Sequence, residues 1–356
     1  MKVLGIESSC DETALALVDT ARPPAERVLS HALFSQIEIH AETGGVVPEV
    51  AARAHVDRIA GLAKVCFAEA NLDASDVDMV AAIAGPGLIG GVSVGLMFGK
   101  GFALTQNIPL VPVNHLAGHA LTCRLTDDTP FPYLLLLVSG GHCQILVVES
   151  ATAFQRWATT IDDAVGEAFD KAAKVMGLDF PGGPALEIEA MGGDASRFDL
   201  PRPMIKKPTM DFSFSGLKTA AARAFATCKT AQDRRDLAAS FQAAAAESLV
   251  GQTRKAVRRF TEEFGTGHAL VVAGGVARNQ LVRSSLQALA DDMSMDLVTP
   301  PLPLCTDNAP MIAWAGAEQY WADPDCTVNS LSFAPRPRWP LDPGAEPSIF
   351  AGAAKA

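Results

Sequence analysis

His115 and His119, in the segment VNHLAGHA, stand four residues apart. On a helix this spacing projects both imidazoles from one face, where they can reach a single metal ion. For an isolated pair, hydrogen-bonded or surface histidines are the commoner case. Two features favour the metal reading here: the chain has only 7 histidines in 356 residues, and Asp307 sits in a polar island, CTDN, between PPLPL and PMIAWAGA. A carboxylate returned to the same place would complete a two-histidine, one-carboxylate face with open positions, a set that suits iron(II) or zinc. The histidine spacing is also that of metalloproteases, but there a glutamate follows the first histidine and activates water. Leu116 occupies that position, so a protease would lack its base.

Asp11 and Glu12 follow the first apolar run. Carboxylates at such a tip could orient a metal, a water or an attacking amine, although a solvated turn is the ordinary explanation. A second acidic group, Asp162, Asp163, Glu167 and Asp170 with Lys171, lies in IDDAVGEAFDKAAKVMG. On one continuous helix Asp163, Glu167 and Asp170 would share a face able to bind ribose hydroxyls or metal-bound groups. The glycine turn in LDFPGGPALE follows it, suited to lie against a nucleoside.

The elements that must carry these groups are repeated. VLGIESSCDETALALVD is an apolar run, a small polar turn and a second apolar run, and YLLLLVSGGHCQILVVE has the same layout. Each predicts a hairpin with a tip of small residues, followed by alanine-rich helix, so the chain reads as two related α/β halves facing one another. A third segment, HALVVAGGVARNQLVRSSLQALA, predicts a buried strand, a Gly-Gly turn and a helix from near Arg278. Glycines in such turns let backbone amides approach an anion, though close packing explains any one of them equally well. Three such turns, at 8–13, 139–142 and 274–279, suit a nucleotide held in a cleft between lobes. That arrangement resembles the actin, sugar kinase and heat-shock ATPase superfamily.

Composition bounds the rest. The 356 residues exceed what one core usually supports, and 49% hydrophobic against 19% charged residues folds most of the length. A net charge of −11 repels phosphate, so RNA would need a local basic patch or a partner. Candidate patches are Lys206 with Lys207, Lys218 with Arg223, and Arg254, Lys255, Arg258 and Arg259, each of which also reads as a solvated helix face. The seven cysteines are scattered singly, without zinc or disulfide spacing, which fits a reducing cytoplasm. The first residues lack the features of a signal peptide. Residues 79–99 carry no charge but include six glycines and Pro86, and so read as strand, glycine turn and packed helix rather than a membrane span. From Trp321 onward the proline-rich chain predicts a surface wrap or an unstructured tail with no catalytic part.

Taken in order, the segments GIESSCDET, TGGVVPEVAARAH, AGPGLIGGVSVG, NHLAGH, LLVSGGHCQI, DDAVGEAFDKAAKVMGLDFPGGP, FSFSGLKTA, VVAGGVARN and CTDNAPMIAWAG resemble the tRNA N6-adenosine threonylcarbamoyltransferase family, once labelled O-sialoglycoprotein endopeptidases. The resemblance covers about residues 1–320. It implies an α/β, two-lobed actin-like (ASKHA) fold with a nucleotide cleft: residues 1–115 completed by a helix near 307–320, residues 116–306, and a tail over 321–356. It implies that His115, His119 and Asp307 bind one divalent metal, iron(II) or alternatively zinc. It further implies that Leu137, Val138, Ser139, Gly140, Gly141, Asp170, Gly183 and Asn279 contact an adenylate substrate, with Glu187 placed where some relatives contact the ribose. The implied reaction moves the threonylcarbamoyl group of threonylcarbamoyl-adenylate to the N6 amine of the adenosine 3′ to the anticodon, in tRNAs reading codons that begin with adenine, and releases AMP. Asp11 or Glu12 is the candidate to orient the amine. The implied partners are tRNA, a non-catalytic paralogue (TsaB-type) and a small ATPase (TsaE-type), in the cytoplasm and away from membranes. Three residues depart from the family pattern: Thr43 in place of an aromatic, Ala117 in place of a glutamate between the histidines, and Pro310 in place of alanine or glycine. Two rival classes share the fold, an ATP-dependent small-molecule kinase or carbamoyltransferase and an ATP-gated binding protein, and neither needs the His-His-Asp set.

Overall fold

A computed structural model describes residues 1–41 and 45–345; Thr43 lies outside the described residues. The chain opens with strands β1 (Lys2–Glu7), β2 (Glu12–Asp19) and β3 (Val28–Ser35), then helices α1 (Ile37–Ala41) and α2 (Pro48–Ala70). Strand β4 (Met79–Gly85), helix α3 (Ile89–Gln106) and strand β5 (Leu110–Asn114) complete a first sheet ordered β3-β2-β1-β4-β5. Helix α4 (His115–Asp127) leads into the second half. There β6 (Tyr133–Val138), β7 (Cys143–Val148) and β8 (Phe154–Thr159) are followed by α5 (Val165–Val175), α6 (Gly182–Glu189), α7 (Ser215–Phe225) and α8 (Ala231–Phe264). Strand β9 (Ala269–Ala273), helix α9 (Gln280–Asp292) and strand β10 (Asp296–Val298) complete a second sheet ordered β10-β9-β6-β7-β8, and α10 (Ala309–Ala322) follows.

The two sheets have one topology. In each, a first strand pairs antiparallel with the second, the second antiparallel with the third, and the first also pairs parallel with a later strand that in turn pairs parallel with the last. Both are covered on two faces, which explains why their central strands are apolar runs rather than alternations. Successive residues divide between layers: Val3, Met79, Ala81, Tyr133 and Leu135 join one cluster with residues of α4 and α10, whereas Leu4, Ile6, Val80 and Ala82 pack towards α2 and α3. Leu134, Leu136 and Val138 turn the other way, into a third cluster with residues of α5 to α9. Helices α4 and α10 thus lie in the layer shared by the two sheets, and the cluster around them is what fixes the sheets relative to each other.

Residues 79–99 form strand, turn and helix, and none of the described helices is long and apolar enough to cross a membrane. A methyl group on Gly91 or Gly95 would come within 2.3 Å of the Ser8 carbonyl or hydroxyl oxygen, so glycine there is what lets α3 lie against the first hairpin. Pro310 falls in the first turn of α10, where a missing N–H costs nothing, and Asn308 caps that helix by accepting from Met311 N at 2.9 Å. Ala117 is fully buried within α4.

The proline-rich end is a surface wrap as far as residue 345, with short helical turns at Pro324–Thr327 and Ser330–Ser332. It forms a strap across both halves. Lys100 Nζ donates to Phe333 O (2.6 Å), Arg336 N to Ala84 O (2.7 Å), Gly87 N to Pro337 O (3.3 Å) and Asn114 Nδ2 to Trp339 O (2.9 Å). Farther on, Arg156 N on β8 donates to Asp342 Oδ2 at 2.9 Å.

Candidate active site

Strand β5 ends at Asn114, whose side chain caps α4 by accepting from Leu116 N at 2.9 Å, so the first helical residue is His115. One turn later His119 follows on the same face, and the two rings meet edge to face at 4.8 Å between centroids. Asp307, just before the capped start of α10, brings its carboxylate to both: Oδ1 stands 3.1 Å from His119 Nε2 and 3.5 Å from His115 Nε2. Ligands bonded at about 2.0–2.2 Å to one cation in neighbouring positions stand roughly 3.0–3.5 Å apart. The three donor atoms all lie within 4.8 Å of one another, and this group could hold a metal ion.

The electrostatics fit a cation. Burial disfavours charge on Asp307, but His115 and His119 outweigh it and hold the carboxyl well below its usual range. Burial likewise disfavours a charged His115, and Asp307 and Glu7 outweigh that in turn, pushing the imidazole well above its usual range. Asp307 and Glu7 thus favour positive charge at the His115 ring. Glu7 was not anticipated as part of this site. It is completely buried at the end of β1, with Oε2 3.0 Å from His115 Nδ1. An acid closing the apolar run VLGIE was the available signal, overshadowed by the neighbouring Asp11 and Glu12.

The hairpin tips face the same cleft. Ser139 N donates to His142 O (2.8 Å) and His142 N to Ser139 Oγ (3.1 Å), closing a turn that leaves Gly140 and Gly141 at its tip. A methyl group on Gly140, Gly141 or Gly183 would meet nothing within 4 Å. These glycines are not required by packing of the protein against itself. Two connected cavities run past them. One, of about 390 Å³, is lined by Phe169, Phe180, Pro181, Pro184 and Val276 among others; the second, of about 510 Å³, reaches His115 and Asp307. Asp11, Glu12, Gly140, Asp170, Phe180, Gly275 and Thr306 line both.

Asp11 and Glu12 are therefore within the cleft. Burial, then the nearby Asp307 and Asp11, pushes the Glu12 carboxyl well above the usual carboxylate range. Asp170 accepts from Gly182 N at 2.8 Å; burial raises its carboxyl, with the Gly182 and Gly183 amides opposing. Glu187 lines the first cavity and accepts from Gln280 N at 2.7 Å.

Other expected residues are placed differently. Leu137 and Val138 are completely buried, each in a different core cluster, and the cleft lining begins at Ser139. Asn279 lines the first cavity, but its amide is engaged by the fold, capping α9 at Val282 N (3.0 Å) and donating to Gln242 Oε1 (2.9 Å). The three-acid helix face does not form, because α5 begins only at Val165. Asp163 instead pairs with Lys171 and Lys218, and Glu167 with Lys171, while Asp162 accepts from Phe214 N and the Ser213 and Ser215 hydroxyls at the start of α7. The apolar cavity wall of Phe169, Phe180, Pro181 and Pro184 was not foreseen, since such residues in sequence look like any core.

A family model described as tRNA N6-adenosine threonylcarbamoyltransferase matches residues 27–314. Proteins of that name are similar along the whole chain. The one from Rhizobium meliloti is 51% identical over 356 residues, 99% of this chain and 98% of its own length, and the one from Chelativorans sp. is 53% identical over 355 residues, with 99% and 98% covered. Among solved structures, HypF from T. kodakarensis superposes with a TM-score of 0.60 at 14% identity, covering 93% of this chain and 49% of that one. Component A of the (R)-2-hydroxyglutaryl-CoA dehydratase of Acidaminococcus fermentans gives 0.51 at 15% identity, covering 90% and 97%. At such identities these two speak for the fold alone, which is the two-lobed actin-like, sugar-kinase and heat-shock ATPase fold expected from the paired hairpins.

Proposed function

The chain belongs to the tRNA N6-adenosine threonylcarbamoyltransferase family, and on that footing we propose that its cleft binds threonylcarbamoyl-adenylate and passes the threonylcarbamoyl group to the N6 amine of the adenosine 3′ to the anticodon of tRNA. One observation supports the reading above others: a single cleft runs from an open glycine cradle with an apolar wall to the His115, His119 and Asp307 group. A ligand with a nucleotide at one end and a reactive carbonyl at the other suits that layout. The rival kinase and binding-protein readings have no use for the second half of it.

In this reading the adenine lies along Phe169, Pro181, Pro184 and Val276, with Asp170 and Glu187 facing the ribose, each carboxylate steadied by a backbone amide. The amides of Gly140 and Gly141 approach the phosphate, as the bare tip allows. His115, His119 and Asp307 hold one divalent cation, iron(II) in preference to zinc, which when bound supplies Lewis-acid polarisation of a donor oxygen. Asp11 and Glu12 orient the attacking amine. The new C–N bond forms as the C–O bond to phosphate breaks, AMP leaves with the bonding pair, and the amine proton passes to the Asp11 carboxylate. The division at 115 and 307, a cytoplasmic location, and association with tRNA, a non-catalytic paralogue and a small ATPase complete the proposal.

The test is incubation of the metal-loaded chain with threonylcarbamoyl-adenylate and unmodified tRNA, with and without the two partner proteins. The expected outcome is AMP release matched by an equal gain of modified adenosine in digested tRNA. AMP released with no gain in tRNA, under every combination, would overturn the reading.

A further inference from the structure

Glu7 occupies a place that a fold alone does not call for. It is the last residue of β1, completely buried, and both of its oxygens are engaged. Oε1 accepts from Ser9 N at 2.6 Å, which fixes the carboxylate as the chain turns into the hairpin tip. Oε2 lies 3.0 Å from His115 Nδ1, a nitrogen also 3.2 Å from Ser9 Oγ. When His115 ligates a cation through Nε2, its remaining ring hydrogen must sit on Nδ1, and a carboxylate oxygen 3.0 Å away can only accept it. Nε2 is the nitrogen that faces Asp307, at 3.5 Å.

We infer that Glu7 is a positioning residue for the metal site: it holds His115 in the tautomer and orientation that present Nε2 to a cation, and places negative charge behind the ring. The inference rests on the reading that His115, His119 and Asp307 hold a metal. Carboxylates behind metal-binding histidines both orient the ring and raise its basicity. His119 has no comparable support, since its Nδ1 is without a partner among the described residues. The two histidines are thus unequal: one is set by a charged hydrogen bond from β1, the other by packing within α4.

Glutamine at this position is a sharp probe. An amide has one accepting atom, whereas Ser9 N and His115 Nδ1–H together require two. If the amide nitrogen faces the ring it must donate to Nδ1, which moves the hydrogen to Nε2 and blocks the ligand atom; if it faces Ser9 N, two donors oppose each other. Aspartate, one methylene shorter, keeps the charge but withdraws it from the ring.

The experiment uses the full-length chain, stripped of metal and titrated with cobalt(II) followed by its visible absorption, in the wild type, Glu7→Gln, Glu7→Asp and His119→Ala. Thermal melting of each metal-free protein is measured alongside. The expected result is cobalt affinity weakened by about 10- to 100-fold in both Glu7 variants, the usual range for such partners. Wild-type affinity in either folded Glu7 variant overturns the inference, as does a fall in metal-free melting temperature with affinity unchanged, which is what a purely structural acid would give. His119→Ala separates the two levels: cobalt bound there at wild-type affinity refutes the metal reading itself, whereas cobalt lost there but retained in Glu7→Gln refutes only the present inference.

Discussion

A methyl group on Gly166 would stand 2.6 Å from the carbonyl oxygen of Ser139, and one on Gly274, where φ is +97°, would stand 2.3 Å from that of Val138. These glycines let helix and turn close on the hairpin base, in contrast to the open positions at Gly140 and Gly141. Substituting the two kinds should therefore have opposite consequences. Gly141→Val is expected to fold, keep its metal and lose adenylate affinity by more than about tenfold, equivalent to 1.4 kcal/mol, in calorimetric titration with a non-hydrolysable adenylate analogue. Gly166→Val is expected to lower thermal stability by about 1–3 kcal/mol or more through overpacking. Equal behaviour of the pair would remove the distinction. If His115, His119 and Asp307 hold a metal as proposed, alanine in place of any one of them leaves two protein ligands, and elemental analysis of each purified variant should show the metal lost. The grouping of His115, His119 and Asp307 was legible because histidines at helical spacing and an isolated CTDN are rare patterns, whereas the burial of the Leu137 and Val138 side chains in the core leaves only their backbone for any contact with a substrate.

Helix α7 illustrates how an acid in a charged cluster can serve the placement of an element. Asp162 accepts from Phe214 N at 2.8 Å and from the hydroxyls of Ser213 and Ser215, both at 2.6 Å, and so ties the segment after β8 to the first turn of α7. Burial works against its ionisation, but the two hydroxyls and the Phe214 and Ser215 amides hold the carboxyl below the usual range. Asp162→Ala should cost about 2 kcal/mol, as loss of a helix cap with its hydrogen bonds does, measured by urea unfolding at neutral pH. Because the folded pKa is depressed, this contribution is present above the unfolded value of about 3.9 and is lost as pH falls through the folded one. The difference between wild type and variant should therefore shrink in acid, and a constant difference would argue that the effect is steric. The hairpins, the strand-turn-helix of β9 and α9, and the repeat between halves were visible in sequence because each is a local alternation of apolar runs and small turns. The acidic face read over Asp163, Glu167 and Asp170 does not form, since the start of a helix depends on partners distant in sequence, here Lys218 and the Ser213 and Ser215 hydroxyls that hold Asp163 and Asp162 outside α5.

At the scale of the whole molecule, the net charge of −11 is not offset by the basic clusters seen in sequence. Lys255 donates to the carbonyls of Lys207 (2.7 Å) and Thr209 (3.1 Å), Arg254 pairs with Asp292, Arg259 lies over Trp157 and near Glu263, and Lys218 pairs with Asp163. Filter retention with the isolated chain should accordingly show weak tRNA binding, and tight binding that collapses with added salt would contradict this. The strap has a further consequence. Asn114, the cap that starts α4, donates to Trp339 O, and the members of the candidate metal group are 188 residues apart at His119 and Asp307, with Glu7 108 residues before His115. A chain made from its N-terminus thus carries both histidines long before the carboxylate that joins them, and the strap comes later still. A truncated product lacking Asp307 would therefore carry both histidines and Glu7 without the carboxylate that brings the group together.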